Sequence, residues 1–210
     1  MKVYSYYNHV PEINDGDMIP IWEASWRKHG WDVVVLTEAD AKRADPLMYD
    51  RINRSPLLET RNPREYTRAA MLRWIPMTQT GDPSIHVDID VLCNGLRPEQ
   101  IEIKPDRPTF LAGSTCPCAV AATQRGWKLF AAWLECSPYV PRFSAEALAA
   151  DSCDQYATSI MPDEFFHIQP GIPCKLYTEQ AGWETAPMIH FPNRLTAYPR
   201  SKTIRALGFG

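Results

Sequence analysis

A short apolar run, Val33–Leu36, constrains the fold of this chain most strongly. Three consecutive valines favour a strand, and a run without polar alternation is typical of a parallel strand that is covered on both faces. Upstream of it, Met18, Trp22 and Trp26 recur at helical spacing, and Gly30 can end that helix. These patterns predict a helix that leads into a buried strand.

The alternation of strands and helices extends to residue 92. A strand is predicted at Lys2–Tyr7, a helix is predicted to begin at Asn62 and to end at Pro76, and Ser84–Leu92 has the pattern of a third strand. The predicted helix carries an apolar stripe formed by Tyr66, Ala70 and Trp74. This order predicts an α/β fold with a Rossmann-like, mainly parallel central sheet and helices on both faces.

Composition excludes several classes of function. The formal net charge of −3 argues against a general nucleic-acid binder. The N-terminus lacks a signal-peptide pattern, and no apolar run reaches transmembrane length. The six cysteines are scattered in a chain that is too large to need a disulfide framework, so we expect free, reduced thiols and a cytoplasmic protein.

Asp88 and Asp90 lie in the third predicted strand with one apolar residue between them. Because side chains alternate along a strand, we expect both carboxylates on the same side. Neighbouring carboxylates repel each other, and a divalent cation such as Mg2+ or Mn2+ removes that repulsion with hard oxygen ligands. The motif predicts either a metal site for a phosphate compound or a pair of solvated acids.

Arginines around the helix predicted from Asn62 form a second candidate feature. Arg61, Arg64 and Arg68 are spaced by three and four residues and therefore share one face. Guanidinium groups match phosphate oxygens well. We interpret Arg61 and Arg64 as a solvated basic face, whereas Arg68 either belongs to that face or contacts a ligand.

Polar residues in the second half complete the set of candidates. A helix is predicted over Ser144–Met161, where Asp151, Asp154 and Gln155 lie on one face. A polar face of this kind also occurs on surface helices without any function. His190 follows two apolar residues, so it is either a ligand at the end of a strand or a histidine that is simply hydrogen-bonded.

The order of these features resembles the GT-A class of nucleotide-sugar-dependent glycosyltransferases, especially bacterial members with a short catalytic domain. The resemblance covers most of the chain and rests on the opening strand, residues 25–31, the arginine-bearing helix, Val87–Asp90, Asp154, Gln155 and Ile189–Phe191. It implies a GT-A-like fold in a single domain over residues 1–210. Residues 1–95 would form the nucleotide-binding half, and residues 96–210 would complete the metal and acceptor sites.

The resemblance also implies how the donor is bound. Asp88 and Asp90 would hold Mn2+ or Mg2+ against the diphosphate of a nucleotide sugar, and His190 would supply a further metal ligand. One of the two acids contacts the donor ribose in many members of the class, and Asp88 is the candidate for this contact. Arg68 and Arg194 would contact the donor, with Arg194 in place of the glycine and lysine that commonly follow the histidine.

The implied activity is transfer of a hexose, with a uridine diphosphate sugar as the expected donor. The acceptor is an unidentified glycan, lipid or protein, and no nucleic acid takes part. Asp154 or Asp151 would act as a base toward the acceptor hydroxyl in an inverting reaction. In a retaining reaction one of these acids or Gln155 would support the positive charge that develops on the sugar.

Two other classes of function remain as alternatives. A haloacid-dehalogenase-type phosphatase also uses two aspartates at a strand end, but its motif usually lies on the first strand, whereas two strands are predicted before Asp88. A catalytically silent nucleotide- or sugar-binding module would retain the fold without the reaction. Metal-dependent hydrolysis of a donor separates the transferase from the silent module, and a phosphoaspartate at Asp88 would identify the phosphatase.

Overall fold

The computed structural model describes residues 1–10, 15–55, 58, 62–113, 115–139, 153–172, 174–177, 182–192 and 199–209. They form a mixed α/β structure that has a six-stranded central sheet and a second sheet of three strands. Three residues that the sequence analysis singled out, Arg61, Asp151 and Arg194, lie outside the described residues.

The central sheet has the strand order β2-β1-β3-β6-β5-β7, and the second sheet has the order β4-β9-β8. The strands are β1 (Lys2–Tyr6), β2 (Asp32–Leu36), β3 (Ser84–Val87), β4 (Val91–Cys93), β5 (Thr109–Phe110), β6 (Ala119–Ala122), β7 (His167–Ile168), β8 (Cys174–Leu176) and β9 (Met188–His190). Strand β1 is parallel to β2 and β3, and β5 is parallel to β7. Strand β6 is antiparallel to both of its neighbours, so the described sheet is mixed, with three parallel and two antiparallel pairings.

Eight α-helices accompany the strands in the described part of the chain. They are α1 (Met18–Arg27), α2 (Glu38–Ala44), α3 (Pro46–Asn53), α4 (Arg64–Leu72), α5 (Trp74–Met77), α6 (Gln124–Cys136), α7 (Cys153–Ser159) and α8 (Arg200–Ala206). Helix α1 confirms the spacing argument, because Met18, Trp22 and Trp26 are buried and Gly30 follows the helix with a φ of 84°. Among the helices described, none is both long and apolar enough to cross a membrane.

Separate apolar cores cover the two faces of the central sheet. Val33 belongs to the core that also contains α1, α8 and the second sheet, whereas Leu36 belongs to the core formed with α2 to α7. The unbroken Val33–Leu36 run is explained by this arrangement, because each of its faces meets an apolar layer. Helices therefore lie on both faces, and the second sheet joins α1 and α8 on one of them.

The arginine-bearing helix differs from its predicted form. Helix α4 begins at Arg64 rather than at Asn62, because Pro63 has an extended ψ of 136° and takes the N-cap position. Pro76 does not end the helix but lies within the short helix α5. The predicted stripe is also wrong in part: Tyr66 is 37% exposed and Ala70 is half-buried, whereas Trp74 is buried.

The predicted strand Ser84–Leu92 is divided between the two sheets. Strand β3 ends at Val87, residues 88–90 form a turn, and β4 begins at Val91. The turn is closed by the Val91 N–H, which donates to the Asp88 carbonyl at 2.9 Å. Asp88 and Asp90 therefore lie on a turn. This turn, rather than the alternation of side chains along a strand, brings the two side chains together.

Candidate functional site

A cleft of about 960 Å³ lies at the carboxyl ends of β1 and β3. One wall is formed by α4, which contributes Tyr66, Ala70 and Arg73. The opposite side contains residues of the second sheet, including His190, together with Arg200 from α8. Ligands of open α/β sheets bind at this end of the strands, so the fold places a concave space that contains charged side chains where a ligand is expected.

Asp88, Asp90 and His190 meet in this cleft. One ligand atom from each side chain lies within 4.8 Å of the other two. Strand pairing explains the meeting: β9 runs antiparallel to β4 with His190 opposite Val91, and the Phe191 N–H donates to the Asp90 carbonyl at 2.9 Å. We call these three residues the Asp–Asp–His cluster. The structure brings together the three residues for which the sequence analysis predicts a role as metal ligands.

The donor set of the Asp–Asp–His cluster fits a divalent cation. Carboxylate oxygens suit Mg2+ and Mn2+, and an imidazole nitrogen is a further ligand that transition metals accept. The side chains of Asp88, Asp90 and His190 keep 25%, 14% and 16% of their surface exposed, so a cation can reach them from the cleft. The cluster can hold a metal ion, although the identity of that ion stays a prediction.

Arg73 links Asp88 to Asp154, which comes from the late helix α7. One terminal guanidinium nitrogen forms an ion pair with Asp88, and the other donates to Asp154 Oδ2 at 2.6 Å. The indole N–H of Trp74 also points to Asp154 Oδ2, at 3.4 Å, and the guanidinium lies 4.6 Å from the Trp74 ring. Asp154 is only 1% exposed, so these contacts fix its carboxylate at the cleft.

Arg200 links Asp90 to Asp15 on the other side of the cluster. Its Nη1 contacts Asp90 Oδ2 and donates to the Phe191 carbonyl at 2.9 Å. Its Nε donates to Asp15 Oδ1 at 3.2 Å, and its Nη2 contacts the second oxygen of the same carboxylate. Each acid of the cluster is therefore paired with an arginine from a different part of the chain.

The two acids have opposite pKa shifts. Burial raises the pKa of Asp88 to about 6, because Arg73 only partly offsets the desolvation and Asp90 adds a like charge. Burial acts on Asp90 in the same sense, but His190 and Arg200 outweigh it and hold the pKa of Asp90 well below its usual range. The pKa of His190 is raised, because Asp90 outweighs the effect of burial.

The remaining predicted site residues have different positions. Gln155 is exposed on α7 and lines the cleft next to Asp154. Arg68 instead forms an ion pair with Glu38, and its Nε donates to Asn53 Oδ1 at 2.6 Å. Among the described residues that line the cleft, the arginines are Arg73 and Arg200 rather than Arg68.

Sequence reasoning missed Arg73, Arg200 and Asp15 as members of the site. A signal for Arg73 existed, because it follows Tyr66 by seven residues and Ala70 by three, which places all three on one helical face. That face borders the cleft rather than the apolar core. Arg200 and Asp15 are separated by 185 residues, so no local pattern connects them.

The cysteines agree with the prediction of free thiols. The five cysteines whose side chains are described are free. Three of them, Cys116, Cys118 and Cys174, line the cleft near His190. Contact with Cys118 and burial raise the pKa of the Cys116 thiol. For Cys118, contact with Cys116 lowers the pKa, but contact with Cys174 and burial outweigh this effect, so the pKa of Cys118 is raised as well.

Comparisons with known proteins support the fold. No family model matches the chain, and no curated protein sequence matches it. Among solved structures, the chain is similar to a glycosyltransferase involved in the glycosylation of the major capsid of PBCV-1, with a TM-score of 0.53 over 98% of each chain. The two sequences are 9% identical, so this likeness concerns the fold alone.

Proposed function

We propose that this chain is a metal-dependent glycosyltransferase of the GT-A class. It would move a hexose from a nucleotide diphosphate sugar, with a uridine diphosphate sugar as the first choice, to a glycan, lipid or protein acceptor. The observation that carries the proposal is the meeting of Asp88, Asp90 and His190 at the carboxyl ends of the central strands. The likeness of the fold to that of a glycosyltransferase supports it.

The Asp–Asp–His cluster would hold Mn2+ or Mg2+ against the diphosphate of the donor. When bound, such a cation acts as a Lewis acid that stabilises the negative charge on the departing diphosphate. The protein compensates the charge of Asp88 less completely than that of Asp90, and the pKa of Asp88 is therefore raised to about 6. A bound cation would therefore offset the cost of burying a charged Asp88 more than that of Asp90, so the two acids would respond unequally to the cation.

Asp154 and Gln155 are proposed to act on the transferred sugar. Arg73 and Trp74 hold the buried Asp154 carboxylate beside the cluster, while Gln155 is exposed on the same helix. In an inverting reaction Asp154 would accept the proton of the acceptor hydroxyl. In a retaining reaction either residue would support the positive charge on the sugar.

Arg73 is the arginine whose position favours contact with the donor. It lies beside Asp88 and Asp154, and its Nε is buried without a hydrogen-bond partner among the described residues. Arg68 makes its described contacts with Glu38, Glu65, Tyr49 and Asn53. We therefore propose Arg73 as the stronger candidate for donor binding, with Arg68 and Arg194 as further candidates.

The two halves of the chain would have separate tasks. Residues 1–95 supply Asp88, Asp90 and the α4 wall, and we propose that this half binds the nucleotide. Residues 96–210 supply His190 and Asp154, and we propose that this half completes the metal site and receives the acceptor.

A catalytically silent nucleotide- or sugar-binding module is the second candidate. It is favoured by one observation: Asp88 and Asp90 are already paired with Arg73 and Arg200. In such a module the arginines would neutralise the acids and the fold would bind its ligand without breaking the sugar–phosphate bond.

A panel of nucleotide sugars tests the proposal directly. The protein would be melted with each nucleotide sugar in the presence of Mn2+, Mg2+ or EDTA. Ligand at about 100 times its Kd adds roughly 2.7 kcal/mol to the native state, which corresponds to a rise of about 5–10 °C in Tm for a chain of this size. The proposal predicts that a matching donor raises Tm beyond its value with the cation alone, and that EDTA abolishes this further rise. Absence of any rise across the panel contradicts both candidates.

A further inference from the structure

Arg200 is almost completely enclosed by the groups that it binds. Its side chain is 4% exposed, and that of Asp15 is 7% exposed. The guanidinium donates to both oxygens of Asp15, to one oxygen of Asp90 and to the Phe191 carbonyl. The side chain therefore has little freedom to turn, and its contact with Asp90 has a defined direction.

This contact determines which oxygen of Asp90 faces the cleft. Arg200 occupies Oδ2, while Oδ1 lies 3.4 Å from His190 Nε2. The Asp90 main chain is fixed independently, because the Phe191 N–H donates to its carbonyl at 2.9 Å. The Arg200 contact thus sets the rotation of the carboxylate and leaves Oδ1 on the side of His190.

Helix α8 brings Arg200 to this position, and its attachment does not depend on the acids of the cluster. The hydroxyl of Ser201 donates to Asp17, which stands at the start of α1. Ile204 is fully buried in the apolar core that also contains Trp22. The helix is therefore docked by its own contacts, and Arg200 projects from a fixed base into the cleft.

We propose that Arg200 and Asp15 are positioning residues of the cation site: Asp15 fixes the Arg200 guanidinium, which in turn orients Asp90 as a ligand. This inference rests on the proposed cation-dependent function. It assigns a role to the last described helix, which supplies no member of the Asp–Asp–His cluster. Groups that orient metal ligands in this way typically contribute strongly to metal affinity.

A positioning role and a simple charge effect predict opposite results. A positive charge beside the site repels a cation, so charge alone predicts tighter binding of Mn2+ when Arg200 is replaced by a neutral residue. Orientation of Asp90 predicts weaker binding, even when the positive charge is kept. Arg200→Lys therefore separates the two effects, because lysine keeps the charge but cannot form the same four directed contacts.

The test is a titration of the metal-free protein with Mn2+ alone. We expect Arg200→Lys to weaken Mn2+ binding by roughly 10- to 100-fold, as is typical for loss of an outer partner of a metal ligand. Asp15→Asn, which loosens the hold on Arg200, should weaken binding in the same direction. Ser201→Ala is the matched control, because it removes a contact of the same helix without touching Asp90, and it should bind Mn2+ like the wild type.

A second measurement reports the contact between Asp90 and His190 in the metal-free protein. The ¹⁵N chemical shifts of the His190 ring report its contact with Asp90 Oδ1. We expect these shifts to change in Arg200→Lys and Asp15→Asn and to stay unchanged in Ser201→Ala. Thermal unfolding of each variant verifies that it is folded. If Arg200→Lys does not fold, the His190 shifts of Asp15→Asn carry the test, because loss of a negative charge alone would also weaken Mn2+ binding.

The outcomes separate this inference from the proposed function. Wild-type affinity in both Arg200→Lys and Asp15→Asn, or unchanged His190 shifts, overturns the positioning role while the cation site stands. An equal loss of affinity in Ser201→Ala also overturns it, because the effect would then come from docking of the helix. If the wild type itself binds neither Mn2+ nor Mg2+, the cation-dependent function fails and the positioning role fails with it.

Discussion

Replacement of Asp88 by asparagine should stabilise the metal-free protein at neutral pH. In the folded state burial raises the pKa of Asp88 from 3.8 to about 6. One pKa unit corresponds to about 1.4 kcal/mol, so the charged side chain costs about 3 kcal/mol relative to the unfolded chain. Because 25% of the Asp88 side chain is exposed to solvent, we reduce this figure to about 2 kcal/mol.

The sign of the pH dependence follows from the raised pKa. Below about pH 4 the carboxyl is protonated in both states and contributes nothing. As the pH rises from about 4 to about 6, the unfolded chain loses its proton before the folded protein does, so stability from this group falls. Above about pH 6 the full cost is present. The amide introduced by Asp88→Asn carries no charge, so the variant lacks this dependence.

The assay is guanidinium unfolding of the wild type and Asp88→Asn in EDTA between pH 4 and pH 7.5. We expect similar stabilities near pH 4 and a variant that is about 2 kcal/mol more stable at pH 7.5. Saturating Mn2+ should reverse the order, because a cation at about 100 times its Kd adds about 2.7 kcal/mol to the wild type alone. Asp82→Asn, at an exposed position, controls for the loss of one acid. A variant that is less stable than the wild type at pH 7.5 without metal would refute the reasoning, since the ion pair with Arg73 would then outweigh burial.

Three further predictions concern the packing and chemistry around the cleft. Arg73→Met leaves the buried Asp154 and the partly exposed Asp88 without their shared partner and should lower the free energy of unfolding by about 3–5 kcal/mol. Arg43→Met, at an exposed pair, should change it by less than about 1 kcal/mol, and equal losses in chemical denaturation would contradict the structure. Phe130→Ala opens a cavity at a fully buried position and should lower the free energy of unfolding by about 3–5 kcal/mol. Leu47→Ala, at a side chain that is 70% exposed, should lower it by less than about 0.5 kcal/mol, and similar losses in both variants would contradict the core described. Asp154→Asn should lower kcat for the transfer by about 100-fold or more while the Kd of the donor changes little, and a loss confined to Kd would remove Asp154 from the chemical step.

Local patterns predicted those parts of the fold that depend on short-range periodicity. Helix α1 and strand β2 follow from their own side-chain spacing, and both are present. The reversed direction of β6 was not predictable, because an apolar run such as Ala119–Ala122 has the same pattern in either direction. The division of Ser84–Leu92 was missed because both resulting strands are apolar and buried.

Some members of the candidate site could likewise be predicted from the sequence, and others could not. Asp88 and Asp90 could be predicted because they form a compact motif, and His190 because it follows an apolar strand. Arg73 was missed because Tyr66 and Ala70, which share its helical face, were interpreted as an apolar stripe, whereas that face borders the cleft. The partnership of Arg200 with Asp90 spans 110 residues and depends on how the last helix docks, which no spacing in the sequence reveals.

The central claim is that the Asp–Asp–His cluster holds a cation that promotes cleavage of a nucleotide sugar. The most direct measurement is release of nucleoside diphosphate from a panel of nucleotide sugars by the wild type and by Asp90→Asn, each with Mn2+ and with EDTA. We predict release from at least one donor by the wild type with Mn2+, and a loss of about 100-fold or more with EDTA or in Asp90→Asn. Release that is equal with EDTA, or equal in Asp90→Asn, would contradict the claim. Failure of the wild type to act on any donor with Mn2+ or Mg2+ would do so as well.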